Sequence, residues 1–257
     1  MKIKLFSLLS MSLLLTMQAF GWGQKGHDVT AYIAECHLTP EAAQKIDKVL
    51  EGRSLVYYAN WMDNASHTPE YAYTKTWHYL NVDEGYTLET MERHPDGDVL
   101  AAVTDLYNKL KAGGLSHEEE HICLRMFIHL VGDMHCPMHA GHRSDLGGNQ
   151  VPVVLFGRPT NLHSIWDSGI IEAAHKWGYM EWQQQIDRPN CDVESLQTGT
   201  PEEWMRETVG LSAEIYRKTP EGANVSYDYV NDYTPLIEDQ LLRGGIRLAR
   251  LLNEIYQ

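Results

Sequence analysis

The sequence predicts an all-α protein, organised as a single mainly helical domain with one short strand-like or hairpin segment. Apolar residues recur at helical spacing in several segments, which start at residues that cap helices and stop at glycines or polar stretches. One short stretch is rich in valine instead. With 257 residues, of which 43% are hydrophobic, the chain has the length of one domain and enough apolar side chains for its core.

Three helices are predicted in the first half of the chain. The first begins at the cap residue Thr39, has Pro40 in its first turn and runs toward Leu50. Residues Val99 to Lys111 have apolar side chains at helical spacing, and two glycines follow shortly after them. Ser116 caps a longer helix that has an acidic first turn and ends near Met134.

Two helices and the strand are predicted in the second half. A helix begins at Pro201, followed by two glutamates, and reaches about Lys218. A final amphipathic helix covers Pro235 to Tyr256, with leucine and isoleucine available for one face. The strand-like stretch is Gln150 to Phe156, which follows Gly147-Gly148.

The N-terminal residues have a composition unlike the rest of the chain. Lys2 and Lys4 form a basic start, and an apolar run extends from Leu5 to Met17. Small residues stand three and one positions before a possible cut after Gly21. These features are typical of a secretory signal peptide.

We therefore expect a signal peptide at residues 1–21 and a domain at residues 22–257 that begins at Trp22. The protein is then secreted or periplasmic, with no stable membrane association after cleavage. A retained membrane anchor is the alternative, although the apolar run is short for a transmembrane helix.

The charge of the chain argues against recognition of nucleic acid by basic side chains. The formal charge of −14 becomes −16 once Lys2 and Lys4 are removed. Affinity for phosphate normally depends on Lys and Arg. Either the substrate is not anionic, or something other than side chains supplies positive charge.

The four cysteines of an exported chain permit one or two disulfides. None of them has the spacing of a zinc clip, so we expect structural roles and leave three full pairings open among Cys36, Cys123, Cys136 and Cys191.

Histidine and aspartate recur at a spacing that suits a metal site. His129 and Asp133 are four residues apart, as are His163 and Asp167, which on a helix places each pair on one face. Further candidate ligands are Asp63, His78 and His139. Imidazole and carboxylate without thiolate favour a catalytic zinc site. A single pair of this kind is more often only a hydrogen-bonded pair, but two pairs and three more candidates make a metal site the better interpretation.

These residues resemble a known family, the zinc-dependent single-strand-specific nucleases of fungi, plants and bacteria (the S1/P1 type), which also act as 3′-nucleotidases. The motifs occur in the family's order between Trp22 and Asp167. They are Trp22-Gly23-xx-Gly26-His27, Trp61-x-Asp63, His78-Tyr79, His129-xxx-Asp133-xxxxx-His139, Gly147-Gly148-Asn149 and Asn161-Leu162-His163-Ser164-x-Trp166-Asp167.

The resemblance implies three zinc ions per chain. One would be bound by Asp63, His78, His129 and Asp133; a second by His139, His163 and Asp167; and a third by His27, by a shared Asp133, and by the α-amino nitrogen and carbonyl oxygen of Trp22. The last ligand exists only after cleavage behind Gly21, so the signal-peptide and metal-site predictions support each other. The positive charge of three zinc ions exceeds the negative charge of the three aspartates that bind them. The ions would thus supply the positive charge for an anionic substrate that the side chains of this acidic chain lack.

The resemblance also implies a hydrolase mechanism. Zinc-activated hydroxide attacks phosphorus, Asp63 and Asp133 are the catalytic carboxylates, and the products carry 5′-phosphate. The expected substrates are single-stranded DNA, single-stranded RNA and 3′-nucleotides, and the expected oligomeric state is a monomer.

Three residues match substrate-contacting positions of the family. Tyr79 would stack on a base, which requires an unpaired base, and Asn149 and Asp145 would contact base or phosphate. Ordinary packing is the alternative for Tyr79, and a turn residue satisfying its own loop is the alternative for Asn149. The chain departs from the family at Ser66, where many members have a basic residue that contacts phosphate.

Three other functions compete with this interpretation. His117 to His121 fits the zinc-peptidase signature H-E-x-x-H, although its acidic residues are better explained as a solvated first helical turn. A zinc phospholipase C resembles the nucleases, but typically has Glu where this chain has Asp167 and a longer interval between its N-terminal Trp and first His. The third is an exported zinc-binding protein without catalysis.

Overall fold

The computed structural model describes residues 22–257, so the signal peptide predicted at residues 1–21 lies outside the described part. The α-helices are α1 (Gln24–Cys36), α2 (Pro40–Val49), α3 (Leu55–Tyr58), α4 (Trp61–Ala65), α5 (Val99–Ala112), α6 (His117–Asp133), α7 (Leu162–Ser164), α8 (Ile170–Ala174), α9 (Tyr179–Ile186), α10 (Val193–Leu196), α11 (Pro201–Lys218) and α12 (Tyr227–Ile255). Short 3₁₀ segments cover Ala72–His78, Pro137–Ala140 and Arg143–Asp145, and a π-helical turn, Ile165–Gly169, joins α7 to α8. The mainly helical fold is confirmed.

Three of the predicted helix starts are confirmed by their caps. The side chain of Thr39 accepts a hydrogen bond from the backbone N–H of Ala42 at the start of α2. Ser116 forms a capping box with Glu119 at the start of α6, and Thr200 does the same with Glu203 at α11. The two partners of each capping contact lie within four residues of each other in the chain, so the local sequence is enough to predict the contact.

The last helix begins earlier than predicted. The structure places Pro235 inside α12, which starts at Tyr227. A proline within a helix removes a hydrogen bond at a cost of about 3 kcal/mol. Here the additional turns bury Val230 and bring Tyr233 against Trp166, with ring centroids 5.0 Å apart, and this packing offsets the cost.

The predicted strand is part of a three-stranded sheet. Strand β1 (Pro152–Leu155) pairs antiparallel with β2 (Arg158–Asn161) and parallel with β3 (Asn224–Val225), in the order β2-β1-β3. The first pair is a hairpin in which Leu155 faces Arg158 across a two-residue turn. The hairpin leads directly into α7, so its base is joined to the predicted ligand His163.

Two clusters of buried apolar residues form the core. One includes Phe127, Leu130 and Val131 of α6 with residues of α2, α5 and α12. The other includes Trp22, Leu162 and Trp166 with residues of α1 and α12. The predicted ligands come from segments of both clusters, so they meet where the clusters adjoin.

All four cysteines are free in the structure, and the disulfides that the sequence permits are not formed among the described residues. Cys36 is exposed and Cys136 is buried, and the thiol of Cys191 lies 3.4 Å from the carbonyl oxygen of Ile186. Within residues 22–257, no helix has the length and apolar character needed to cross a membrane.

Candidate metal centre

Helix α6 supplies the central pair of the site. His129 and Asp133 are fully buried and one turn apart, with Nε2 of His129 3.2 Å from Oδ2 of Asp133. The last turns of α6 are otherwise apolar and packed in the core, so the two polar side chains share one orientation inside the protein.

Asp63 of α4 and His78, at the end of a 3₁₀ segment, join this pair. Oδ1 of Asp63 lies 3.3 Å from Nε2 of His129, and Nδ1 of His78 lies 3.1 Å from the same nitrogen and 3.0 Å from Oδ2 of Asp133. Two ligands of one tetrahedral zinc, each about 2.0–2.1 Å from the ion, are about 3.3 Å apart. The four side chains therefore have the spacing of a single coordination shell.

His27 of α1 reaches Asp133 from the opposite side. Its Nε2 lies 3.3 Å from Oδ1 of Asp133, and its ring stacks on that of His129 with centroids 3.9 Å apart. A Cβ at Gly132 would come within 2.9 Å of the His27 ring, so only glycine at this position of α6 leaves room for the imidazole. The two oxygens of Asp133 thus face two different sets of histidines.

A third group lies beside the first two. Side-chain ligand atoms of Cys136, His139 and Asp167 lie within 4.8 Å of one another. Asp167 is in the π-helical turn, a feature frequent at functional sites. His163 is not part of this group but lies next to it, with its ring centroid 5.3 Å from that of His139.

Trp22 lies next to these groups. Its indole is completely buried and packs against Gly26, and the backbone N–H of Gly23 donates to the carbonyl oxygen of Asp167 at 2.9 Å. The start of the described chain is thereby held against the third group.

Backbone carbonyls orient three of the histidines. Nδ1 of His129 is 2.7 Å from the carbonyl oxygen of Ala59, Nδ1 of His163 is 2.8 Å from that of Gly147, and Nδ1 of His139 contacts the carbonyl oxygen of His78. Each Nδ1–H donates to its carbonyl, which leaves the lone pair on Nε2 for a metal.

Burial and neighbouring charges shift the pKa values of three groups in the centre, Asp133, His129 and Asp167. Burial disfavours the charged form of Asp133, but His129 and His139 outweigh it and hold the pKa of this carboxyl well below its usual range. Burial also opposes a charge on His129, yet Asp133 and Asp63 raise the pKa of its imidazole well above the ordinary value. Burial, with repulsion from Asp63 and Asp133, raises the pKa of Asp167 well above its usual range.

The buried polar atoms of the centre fit a metal. Several of them form no hydrogen bond within residues 22–257, namely Nε2 of His27 and Oδ1 of Asp63, Asp133 and Asp167. Unpaired buried polar atoms are costly unless an ion satisfies them. Imidazole and carboxylate oxygen are donors that zinc accepts.

Cys136 is the one member of these groups that sequence reasoning did not consider a ligand. It lies in the interval between Asp133 and His139, and its spacing carries no metal signature. Burial, with the nearby Asp167 carboxyl, raises the pKa of the thiol well above its ordinary value. Because the thiolate is the form that binds metals, His163 remains the better ligand beside His139 and Asp167.

The three predicted substrate contacts differ in their surroundings. Tyr79 is half-buried next to His78. Asp145 accepts hydrogen bonds from the N–H of Gly148 at 2.7 Å and the hydroxyl of Tyr216 at 2.8 Å, so it holds its own loop together. Asn149 donates to the carbonyl oxygen of Leu146 at 2.8 Å, which is the turn contact considered as the alternative. Their contacts with substrate stay predictions.

A cavity of about 940 Å³ opens onto the centre. Its walls include Asp63, His163 and Asp167, and also Phe156 and Arg158 of the hairpin. Sequence reasoning missed the last two residues, because a strand pattern does not show which way its turn will face. The peptidase-like motif lies elsewhere: His117 is on the surface, 3.2 Å from Oε1 of Glu51.

Comparisons with known proteins agree with this geometry. The model of the S1/P1 Nuclease family matches residues 22–257. "Endonuclease 4" of Arabidopsis thaliana is 28% identical, over 93% of this chain and 90% of that protein. "Nuclease P1" of Penicillium citrinum is 25% identical over 91% and 98% of the two chains, and "Nuclease S1" of Aspergillus oryzae is 24% identical over 98% of both.

Proposed function

Since the chain belongs to the S1/P1 nuclease family and is therefore a hydrolase of phosphodiester bonds, we propose that it is an exported, monomeric, zinc-dependent endonuclease specific for single strands. It hydrolyses DNA and RNA to 5′-phosphate products and removes phosphate from 3′-nucleotides. The observation that carries this proposal is the position of Asp133, whose two carboxylate oxygens each face a separate set of histidines.

Each residue of the centre has a defined task in this proposal. Asp63, His78, His129 and Asp133 hold one ion, for which their spacing of 3.0–3.8 Å is suitable. His139, His163 and Asp167 hold a second, and His27 holds a third together with Asp133 and Trp22. When bound, zinc supplies an acidified water and positive charge for the reacting phosphate.

The protein's own groups keep this chemistry in position. The carbonyl oxygens of Ala59 and Gly147 hold the rings of His129 and His163, so their Nε2 atoms stay directed at the centre. Asp63, which lines the cavity, and the buried Asp133 act as the catalytic carboxylates by holding the metal that activates water.

Export and a free terminus are part of the same proposal. Trp22 can ligate through its α-amino nitrogen only if the chain is cut behind Gly21. The buried indole of Trp22 and the contact between Gly23 and Asp167 hold the adjacent backbone beside the third group, which supports this role.

The function is tested by counting zinc and by assaying substrates with the same processed protein. We expect three zinc ions per chain, hydrolysis of single-stranded DNA and RNA well above that of duplex, and release of phosphate from 3′-nucleotides. Removal of the metal by a chelator should abolish all activities, and zinc should restore them. Zinc binding without hydrolysis would show a binding protein, and hydrolysis confined to phosphatidylcholine would show a phospholipase.

Tyr79 explains the preference for single strands. A base can stack on its half-buried ring only when the base is unpaired, and such stacking contributes about 1–3 kcal/mol. We expect Tyr79→Ala to raise KM for a single-stranded oligonucleotide by about 10-fold, the lower half of that range. Inhibition by inorganic phosphate should change much less, since phosphate lacks a base.

The matched control for this variant is Tyr57→Ala, because Tyr57 is an exposed tyrosine that contacts Tyr58 and Arg53, whereas Tyr79 directly follows the predicted ligand His78. It should leave both measurements at the wild-type level. Equal weakening of oligonucleotide and phosphate binding in Tyr79→Ala would show that Tyr79 has no stacking role.

A further inference from the structure

The cavity at the metal centre is larger than the reacting phosphate requires. Its volume of about 940 Å³ is near the upper end of the range of about 300–1,000 Å³ for sites that take drug-sized ligands. It continues from Asp63 and His163 to the turn of the hairpin, where Phe156 and Arg158 line it. Arg158 is three strand positions, or about 10 Å, from Asn161, which directly precedes α7. The hairpin tip therefore lines the cavity at a distance from the predicted metal ligands, where there is room for more than the reacting phosphate.

Arg158 is an unpaired cation in an acidic protein. No hydrogen bond or ion pair joins its guanidinium to another residue in the described range 22–257. Many of the other arginines are neutralised by carboxylates, for example Arg93 by Asp98, Arg206 by Glu89 and Arg243 by Asp239. A free guanidinium on a cavity wall is suited to a phosphate, which it can bind through two parallel hydrogen bonds.

Phe156 occupies a strained position in the turn. Its φ is 49° and that of Gly157 is 76°, and positive values at both central residues are typical of a type I′ hairpin turn. Asn, Asp or Gly is preferred at the first of these positions, whereas a bulky residue there is an outlier. Such strain is found mainly where a side chain has a function. Here it holds an aromatic ring at the cavity.

The ring of Phe156 is available to a ligand. It is 37% exposed, and it packs against Tyr227, the centroids being 4.7 Å apart. Tyr227 is itself 79% exposed, so this contact leaves part of the Phe156 ring and most of the Tyr227 ring open to solvent. Exposed aromatic rings beside a cation are the usual means of binding single-stranded nucleic acid in any sequence.

We propose that the hairpin tip, Leu155–Arg158, binds the nucleotide next to the scissile bond, with Phe156 stacking on its base and Arg158 binding its phosphate. The inference rests on the proposed function, and it gives the chain a cation for phosphate at a place other than Ser66. It makes the hairpin a determinant of preference for oligonucleotides over mononucleotides.

The first test replaces Arg158 and measures two substrates. Arg158→Ala should lower kcat/KM for a single-stranded oligonucleotide by about 10-fold, the scale of a lost charge-assisted hydrogen bond. The loss should be clearly smaller for a 3′-mononucleotide, which has no neighbouring phosphate. Arg217→Ala is the control, because Arg217 is exposed and does not line the cavity; it should match the wild type on both substrates. An equal loss on both substrates in Arg158→Ala would overturn the proposal.

Binding of the zinc-loaded protein to a hydrolysis-resistant phosphorothioate oligonucleotide supplies a readout independent of catalysis. For single strands, each phosphate contact contributes about 0.7 to the slope of log Kd against log salt concentration. Arg158→Ala should reduce this slope by about that amount, and Arg217→Ala should not. An unchanged slope would exclude a phosphate contact by Arg158.

The second test uses Phe156→Asn, which suits the turn better than the native residue. Because Asn adopts positive φ more readily, the midpoint of thermal unfolding should hold or rise while oligonucleotide affinity falls. A lower midpoint with unchanged affinity would show that Phe156 serves only packing. If the wild-type chain hydrolysed no phosphodiester at all, the proposed function would fail; if it did so but these variants matched it, only the role of the hairpin would fail.

Discussion

Asp133→Ala should remove two zinc ions from the protein together and reduce phosphodiester hydrolysis by more than about 100-fold, since even losing an outer partner of a ligand costs 10–100-fold in metal affinity or activity. The reason is geometric: Oδ2 of Asp133 faces His78 and His129, and Oδ1 faces His27. Replacing a residue that binds only one ion would remove only that ion from the protein. The measurement is elemental analysis of the purified variant, alongside the assay on single-stranded DNA.

Asp133 is completely buried, so its removal also affects folding. Asp133→Asn retains the volume and one oxygen, and it should keep the helical circular dichroism of the wild type while losing the same ions. The double variant His117→Ala/His121→Ala is the control, because these histidines are outside the centre; it should keep all metal and activity. Full zinc content in either Asp133 variant would show that Asp133 does not bridge.

A chain that keeps extra residues before Trp22 should bind one zinc ion fewer and lose most of its activity, by about 100-fold or more on the scale known for disturbed metal sites. A free α-amino group has a pKa of about 7.7–8.0, so a nearby dication readily displaces its proton. An amide nitrogen in the same place is neither basic nor free to bind. The extension thus removes a ligand without changing a side chain.

The informative form of this experiment carries a protease site directly before Trp22. Cleavage should restore both the missing ion and the activity, whereas the same extension placed after Gln257 should have no effect. Mass spectrometry of the N-terminus reports which form is present. Full activity and full zinc content in the uncleaved protein would remove the terminal amine from the site.

Features that depend on residues close together in the chain could be predicted from the sequence, and features that depend on distant residues could not. Capping of α2, α6 and α11 could be predicted because cap and helix lie within four residues of each other. The beginning of α12 could not, since the turns before Pro235 are stabilised by packing of Tyr229 and Tyr233 against Trp166, which is distant in the chain. The role of Asp145 in its loop likewise depends on Tyr216, 71 residues away.

The sequence by itself determined the helical class, the capped starts of α2, α6 and α11, and the pairing of His129 with Asp133, because each depends on contacts within about one helical turn. It also supplied the motifs through which the family is identified. Only the tertiary structure decided that His27, Asp63 and His78 meet that pair, that Asp167 lies with His139, and that Phe156 and Arg158 line the adjoining cavity. The physical reason is that packing of helices and strands distant in the chain sets these positions, and no local pattern encodes the direction in which a side chain meets a remote partner.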